Sequence, residues 1–493
     1  MRLPMPLPFR CGAGIAALLL LLPAPVRSAE PRGASALTQE FCVSCHNQNL
    51  VGSPAPNLLD PLWTNGGSDD AILRNIRQGF PASGMPAFAG VLTEPEMRSI
   101  IGYLRSLAVD YAAGRITHPT QPKSLQLATE LAGMRIETYV ADLETPWGIA
   151  FLPDGGMLVS EREGRLRLIR AGKLEREPVR DLPRAFVKQD GGLLDVAIHP
   201  DFARNRWIYL AYVEAGIRAD TSMTVVIRGR IREGHWVDQQ EIFRAPPERY
   251  YSGHIHYGCR FLFDRAGHLF FTIGDRGHSE DAQDLASPCG KIHRVMDDGR
   301  IPPDNPFVNQ TGAWPSIWTL GNRHPQGLMF HPLTGKLWES EHGPSGGDEV
   351  NRIEGGRNYG WPVVSSGTDR RMQFLPEKSG MESPLAAWTP SVAPAGIEFY
   401  TGDKVPAWKN NLFVACLGGE QLKRLETNGD RVTHEEIVFK GLGRVRDVVT
   451  GPDGLLYLAM NTPGRIARLV PDESVAKASN ANPKSAGTVL LKP

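Results

Sequence analysis

Two rhythms of apolar and polar residues divide the chain. Behind Thr93-Glu94-Pro95-Glu96, a capping-box pattern, Met97, Ile100, Ile101, Leu104, Leu107 and Ala108 recur at helical spacing and predict one amphipathic helix. The whole of residues 30–111 reads as a short helical head. Residues 112–126 begin AAGRITHPTQPK; they are polar, carry two prolines and lose all periodicity, as a linker does. From 127 to 471 the pattern becomes short runs of β-branched and aromatic residues set off by turns. A turn bearing Pro, Asp or Gly, followed by an apolar strand, recurs six times: FLPDGGMLVS at 151, IHPDFARNRWIYL at 198, FDRAGHLFFTIGD at 263, FHPLTGKLWES at 330, YTGDKVPAWKNNLFVA at 400 and TGPDGLLYLAM at 450. Each is a hairpin corner, with Pro and Asp starting the turn and Gly taking positive φ. Six such corners predict an all-β six-bladed β-propeller behind a small all-α domain; a plain β-sandwich is the alternative, and it does not need them. Residues 472–493 are small and polar and read as a flexible tail.

The first residues follow neither rhythm. Arg2 and Arg10 precede an apolar stretch, Ala13 to Leu22, which at about ten residues is short for a bilayer. With small residues around Val26-Arg27-Ser28, residues 1–29 read as a signal peptide cut after Ser28 or Ala29, an uncleaved anchor being the alternative. No later segment is apolar enough to span a membrane, so the expected location is periplasmic or secreted, with no transmembrane anchor after cleavage. The length of 493 residues suits two domains, and equal totals of 54 basic and 54 acidic residues, with no basic run, speak against a nucleic-acid partner. Of six cysteines, Cys11 leaves with the signal and Cys42 and Cys45 belong to a motif. Cys259, Cys289 and Cys416 allow at most one disulfide, and the pairing stays open.

The motif in the head is Cys42-Val43-Ser44-Cys45-His46. Two thiols at this spacing can add to the two vinyl groups of a haem, and the adjacent histidine then lies under the iron. A bare C-x-x-C could be a redox or zinc motif; the following His, the export signal and the lack of a second cysteine pair favour haem. Met85, in Gly84-Met85-Pro86-Ala87-Phe88, is the expected second axial ligand, and Met/His ligation raises the reduction potential as an electron acceptor requires. Over its whole length the head resembles a monohaem class I cytochrome c.

In the body, chemistry clusters near the repeats. A hairpin between His256-Tyr257-Gly258-Cys259-Arg260 and Ile273-Gly274-Asp275 would bring Asp275 to His256, giving a general base for an alcohol; such a pair can equally be structural. Arg323 precedes the fourth repeat, and Arg444 and Arg446, at strand spacing, point to one face before the sixth. Three buried arginines need an anion, a ligand carboxylate or internal Asp and Glu residues. The turn from Glu341 to Glu349, with exposed carbonyls and two carboxylates, offers hard oxygens suited to calcium, although it lacks EF-hand spacing.

In order along the chain, LETPWGIAFLPDG at 143, GGLLDVAIHPDF at 191, the H-x-G-x-R segment at 256, TIGD at 272, LGNRHPQGL at 320, EHGP and GGDEVN from 341, GGRNYGWP at 355 and RVRDV at 444 resemble the PQQ-dependent soluble aldose sugar dehydrogenases. The resemblance spans nearly the whole body. It implies a six-bladed propeller with PQQ as cofactor and calcium beneath it. It also implies His256 as proton-abstracting base and Asp275 as its partner, with Arg323, which also serves catalysis, Arg444 and Arg446 holding PQQ beside His324 and Gln326 of the same motif. The carbonyls of Gly343 and Pro344 are implied to bind the cofactor-side calcium, with Asp348, Glu349 and Tyr359 near the metal sites. Three departures from the related soluble glucose dehydrogenase stand out: His324 replaces an asparagine, Asp190 aligns with a glutamine that Gln189 carries one place early, and Gly418 replaces a lysine.

The function expected is a periplasmic oxidoreductase that oxidises an aldose-type hydroxyl with PQQ. Electrons pass through covalent haem c to an external acceptor, either a soluble cytochrome or the respiratory chain. Two rivals are a calcium-dependent propeller lactonase and a sugar-binding propeller without catalysis that carries a cytochrome.

Overall fold

The computed structural model describes residues 33–478 apart from 47–49, 51–56, 62, 64, 81–84, 114, 117–122 and 370–371; at Ser44 and Cys45 it describes the backbone only. The signal segment 1–29 and the end of the tail therefore lie outside the described residues. Among the described residues the head has four α-helices: α1 (Ala34–Phe41), α2 (Val43–His46), α3 (Asp69–Gln78) and α4 (Glu94–Ala112). The capping box forms, Glu96 N–H donating to Thr93 Oγ1 while the Glu96 carboxylate accepts from Thr93 N–H at 2.8 Å. The predicted stripe of α4 buries Met97, Ile100, Ile101 and Leu104 against Leu37 of α1 and Ile72, Leu73 and Ile76 of α3. Leu107 only borders that core, because the helix outruns its partners there.

Among the described residues six antiparallel sheets follow, each a blade whose first strand lies innermost. The innermost strands Pro146–Phe151, Leu193–Ile198, Phe261–Phe263, Pro325–Phe330, Pro394–Phe399 and Arg444–Thr450 ring the axis, each touching the next. Every one of the six corners noted in the sequence joins an innermost strand to the second strand of its blade. The last blade is completed from the other end of the body: Gly133–Val140 pairs with Arg465–Pro471, Ile136 opposite Leu469, and Ser124–Ala128 adds the outer edge. Joining the two ends of the ring removes two open sheet edges.

Two expected boundaries shift. The linker of 112–126 is shorter, since α4 runs to Ala112 and Ser124, Leu125 and Gln126 already pair with Glu137, Ile136 and Arg135; Leu125 is buried, so alternation in this edge strand begins earlier than its polar start suggests. The tail does not begin loose at 472: Asp472 N–H donates to Gly133 O, Val475 is buried and Ala478 N–H donates to Thr129 O.

Three innermost strands open Pro-x-Gly (146–148, 325–327, 394–396), a repeat the sequence reading passed over. A Cβ at Gly148 or Gly396 would collide with the carboxylate of Asp195 or Asp447. Those carboxylates flank Arg260, whose Nη1 lies 3.1 Å from Asp195 Oδ1 and 3.0 Å from Asp447 Oδ1. Asp195 also accepts from Phe261 N–H, Asp447 from Ile149 N–H, and Arg260 Nε donates to Gln326 O. One buried arginine thus ties the innermost strands of five blades together across the axis, and its Nε and Nη2 donate to the carbonyls of Gln326 and Arg446. Cys259, Cys289 and Cys416 are separate buried thiols. No helix among the described residues is long and apolar enough to cross a membrane.

Candidate functional site

The loops leading into the innermost strands meet at one end of the ring. His256, with φ +55°, precedes the third blade, and its Nδ1 lies 2.6 Å from Asp275 Oδ1. Asp275 follows the second strand of that blade and is fixed from every side: Oδ1 also accepts from Gly277 N–H, Oδ2 accepts from Trp361 Nε1 at 2.8 Å, and its own N–H donates to Arg323 O. Burial pushes its carboxyl up, but His256, Arg323 and the Gly277 amide outweigh that and hold it at about 2. Asp275 is therefore an anion that fixes one face of the imidazole and leaves Nε2 free of any partner among the described residues. Asp190, the residue at the departed glutamine position, accepts from His256 N–H at 3.3 Å, so it positions the base.

Arg323 lies within the field of this pair, and Arg162 and Arg444 lie within the field of Arg446. Arg323 donates from Nη1 to His342 O and stacks over Trp361 at 5.0 Å; Arg446 donates to Gln326 Oε1 at 2.9 Å and lies 5.5 Å over Trp147. Arg162 donates to Gln189 O, and Arg444 is buried. The expected strand alternation between Arg444 and Arg446 is broken by a bulge that makes Arg446 the extra residue. The two charges are nevertheless close. Burial first, then repulsion by Arg444, push Arg446 down to about 9, with Arg162 and Arg260 adding to the effect. Nε of Arg323 and Arg446, Nε2 of His342 and Nδ1 of His324 are buried without a hydrogen-bond partner among the described residues. Leaving such groups unpaired costs about 1–3 kcal/mol each, and more when charged. The hollow is thus shaped for an anion with several acceptor oxygens.

His324 adds a donor of defined identity. Gln326 Nε2 donates to Gly258 O at 3.1 Å and its Oε1 accepts from Arg446, which fixes the amide orientation. The same Nε2 lies 2.7 Å from His324 Nε2, which must then accept. Burial, followed by the nearby histidines and arginines, keeps the ring neutral, so the proton is on the unpartnered Nδ1. The ring is stacked on His256 with centroids 4.8 Å apart.

Arg323 and His342 also line a cavity with Glu341, Gly343, Pro344, Glu349 and Tyr359. Burial, then repulsion by Glu341 on Glu339 and by Glu349 on Glu341, raises both well above ordinary carboxylates, and burial raises Glu349 to about 7. Such crowding favours a cation, yet no group of three or more His, Cys, Asp or Glu side chains among the described residues is arranged to hold one. Any metal would therefore depend on backbone oxygens. Pro344 O has one use already, accepting from Thr368 N–H. The Asp348 carboxylate shapes the turn: Oδ1 accepts from Gly343 N–H and Oδ2 from Ser391 Oγ, Val392 N–H and Ala393 N–H. Tyr359 is likewise engaged, its hydroxyl donating to Arg352 O and accepting from Glu354 N–H.

In the head, His46 N–H donates to Cys42 O at 3.0 Å, which sets Cys42 and His46 one helical turn apart, and the His46 ring is buried. Met85 exchanges two backbone hydrogen bonds with Phe80 and packs on the same core as Cys42 and Val43. The Cys45 side chain and residues 81–84 lie outside the described residues. Trp361 and His342 were within quoted motifs but were given no role; only their contacts in space reveal one.

Residues 143–468 match the family model for glucose/sorbosone dehydrogenase, and residues 29–104 match that for the cbb3-type cytochrome c oxidase subunit III. The chain is 39% identical over 350 residues to the aldose sugar dehydrogenase of Escherichia coli K12, covering 69% of this chain and 94% of that protein. The apo crystal structure of the soluble E. coli aldose sugar dehydrogenase superposes with a TM-score of 0.65 at 38% identity, over 68% of this chain and 99% of that one. The PQQ-bound aldose sugar dehydrogenase of Streptomyces coelicolor superposes with a TM-score of 0.58 at 27% identity, over 72% and 100%.

Proposed function

The chain belongs to the glucose/sorbosone dehydrogenase family with a cytochrome c domain ahead of its propeller, and from that premise we propose that it oxidises the anomeric hydroxyl of an aldose-type sugar with PQQ and delivers the electrons through covalent haem c to an external acceptor. The observation that carries this reading is the ring of unpaired buried donors around the His256–Asp275 pair. A tricarboxylated quinone meets that need, and when bound it supplies an electrophile that accepts hydride. Arg444 and Arg446 would hold its carboxylates, and Arg323 and Nδ1–H of His324 would donate where negative charge develops.

His256 Nε2 takes the hydroxyl proton; Asp275 keeps the proton on Nδ1 and stabilises the imidazolium that forms. Calcium would rest on the carbonyls of Gly343 and Pro344 beside Glu349, supplying Lewis-acid polarisation. Cys42 and Cys45 would carry the haem and His46 and Met85 would bind its iron, a one-electron carrier. A single haem takes one electron at a time, so the external one-electron acceptor must reoxidise it between the two transfers. The segment 1–29 directs this chemistry outside the cytoplasm, where haem attachment to thiols takes place.

Titration of the apoprotein with PQQ tests the reading. Saturable binding near one equivalent, followed by aldose-dependent reduction of a small dye, is expected; no binding, or binding without sugar oxidation, refutes it. A pyridine haemochrome spectrum lost in Cys45→Ala tests the haem assignment separately.

A further inference from the structure

Helix α2, which carries the C-x-x-C-H motif, lies against one short turn of the propeller, Gly418–Glu420, between the fifth blade's second and third strands. That turn borders the arginine hollow on both sides. Gly418 N–H donates to Val392 O, and Val392 N–H donates to Asp348, the carboxylate that shapes the Gly343 turn. On the other side, Glu420 is buried, accepts from Gly443 N–H, and lies within the field of Arg444; its own carbonyl accepts from Gly441 N–H. The turn is bent by left-handed backbone at Gly419 (φ +68°) and at Glu420 (φ +51°), a conformation unfavourable for glutamate and held by these contacts. A side chain at 418 would begin with its Cβ 2.8 Å from the Val392 backbone. The position at which the soluble glucose enzyme carries lysine is therefore one where this packing leaves no room for a side chain.

We propose that the turn Gly418–Glu420 is the docking seat of the haem domain, placing the C-x-x-C-H helix one turn away from the Arg444 side of the cofactor hollow, with the glycine at 418 as the adaptation that lets the seat form. This rests on the reading that α2 carries haem c and the hollow carries PQQ. The seat makes electron delivery intramolecular: one electron leaves the reduced cofactor, ferric haem becomes ferrous, and the external acceptor takes that electron before the second passes.

The test uses the full chain and the variants Gly418→Lys and Glu420→Arg. Amide hydrogen exchange, read without cofactor or substrate, should show residues 43–46 and 417–421 protected in the wild type and losing protection together in both variants, while the outer strands stay protected. With PQQ loaded, anaerobic mixing with aldose should reduce the haem at a first-order rate independent of protein concentration. The ratio of haem reduction to small-dye reduction should fall about tenfold in both variants, the effect of weakening a docking equilibrium by that factor. Unchanged exchange at 43–46 in both variants overturns the seat, as does wild-type haem reduction that scales with protein concentration. Altered exchange with an unchanged ratio overturns its part in electron delivery. If aldose reduces neither dye nor haem, the proposed function fails, and the exchange measurement still decides the seat.

Discussion

His256 holds a left-handed backbone that costs a non-glycine residue roughly 1–2 kcal/mol, and Asp190 and Asp275 together hold it there. His256→Ala should spare PQQ binding and slow reduction of the cofactor by substrate about two to four decades, as stopped-flow absorbance would record. Asp275→Asn should slow that step as well, because the amide no longer stabilises the imidazolium that forms on proton transfer. Asp275 also carries a stability signature. Its folded value of about 2 lies below the ordinary 3.8, so it contributes roughly 2 kcal/mol above pH 4, lost as pH falls through 2. Urea denaturation at pH 6 and pH 2.5 should show that loss in the wild type and not in Asp275→Asn. Arg446→Ala should weaken PQQ binding by one to two decades, about 1.5–3 kcal/mol for a charge-assisted bond; an unchanged titration midpoint would show that Arg446 is satisfied internally. The motif residues were legible in the sequence because each lies in a short run at a strand end, His256 and Arg323 ahead of an innermost strand and Asp275 behind a second one. The full occupation of Asp348 was not, since its donors come from Ser391, Val392 and Ala393, more than forty residues away.

At the scale of elements, the corner turns and the α4 stripe were plain from spacing alone, because each is a local pattern. The Arg260 knot was not, although all three of its residues stood in quoted motifs: its partners belong to three blades, and only closure of the ring brings them together. Arg260→Met should cost about 3–5 kcal/mol, since Asp195 and Asp447 would be left buried and unpaired. The thermal midpoint measures it, and a drop of less than a degree would show that the knot is dispensable. Burial and their mutual repulsion already raise Asp195 to about 7 against the pull of Arg260, which shows how dependent these carboxylates are on that cation. In the head, Thr93→Ala should remove the reciprocal cap and cost about 1 kcal/mol, read from the unfolding of the helical signal. The edge strand at 124–126 was hidden by its polar start, and residues 472–478 gain order only because Gly133 and Thr129 accept their amides.

The whole molecule joins a base, a cofactor hollow and a haem helix in one chain, so a single trace reads all three at once. The decisive measurement is anaerobic stopped-flow mixing of the PQQ-loaded full chain with an aldose, following the haem absorbance in the wild type and in His256→Ala. The account predicts that sugar turns the wild-type haem ferrous and that His256→Ala does so about two to four decades more slowly. When PQQ is instead supplied already reduced, both proteins should reduce their haem at the same rate. Haem that stays ferric while sugar is consumed, or His256→Ala reducing its haem from sugar at the wild-type rate, would contradict it.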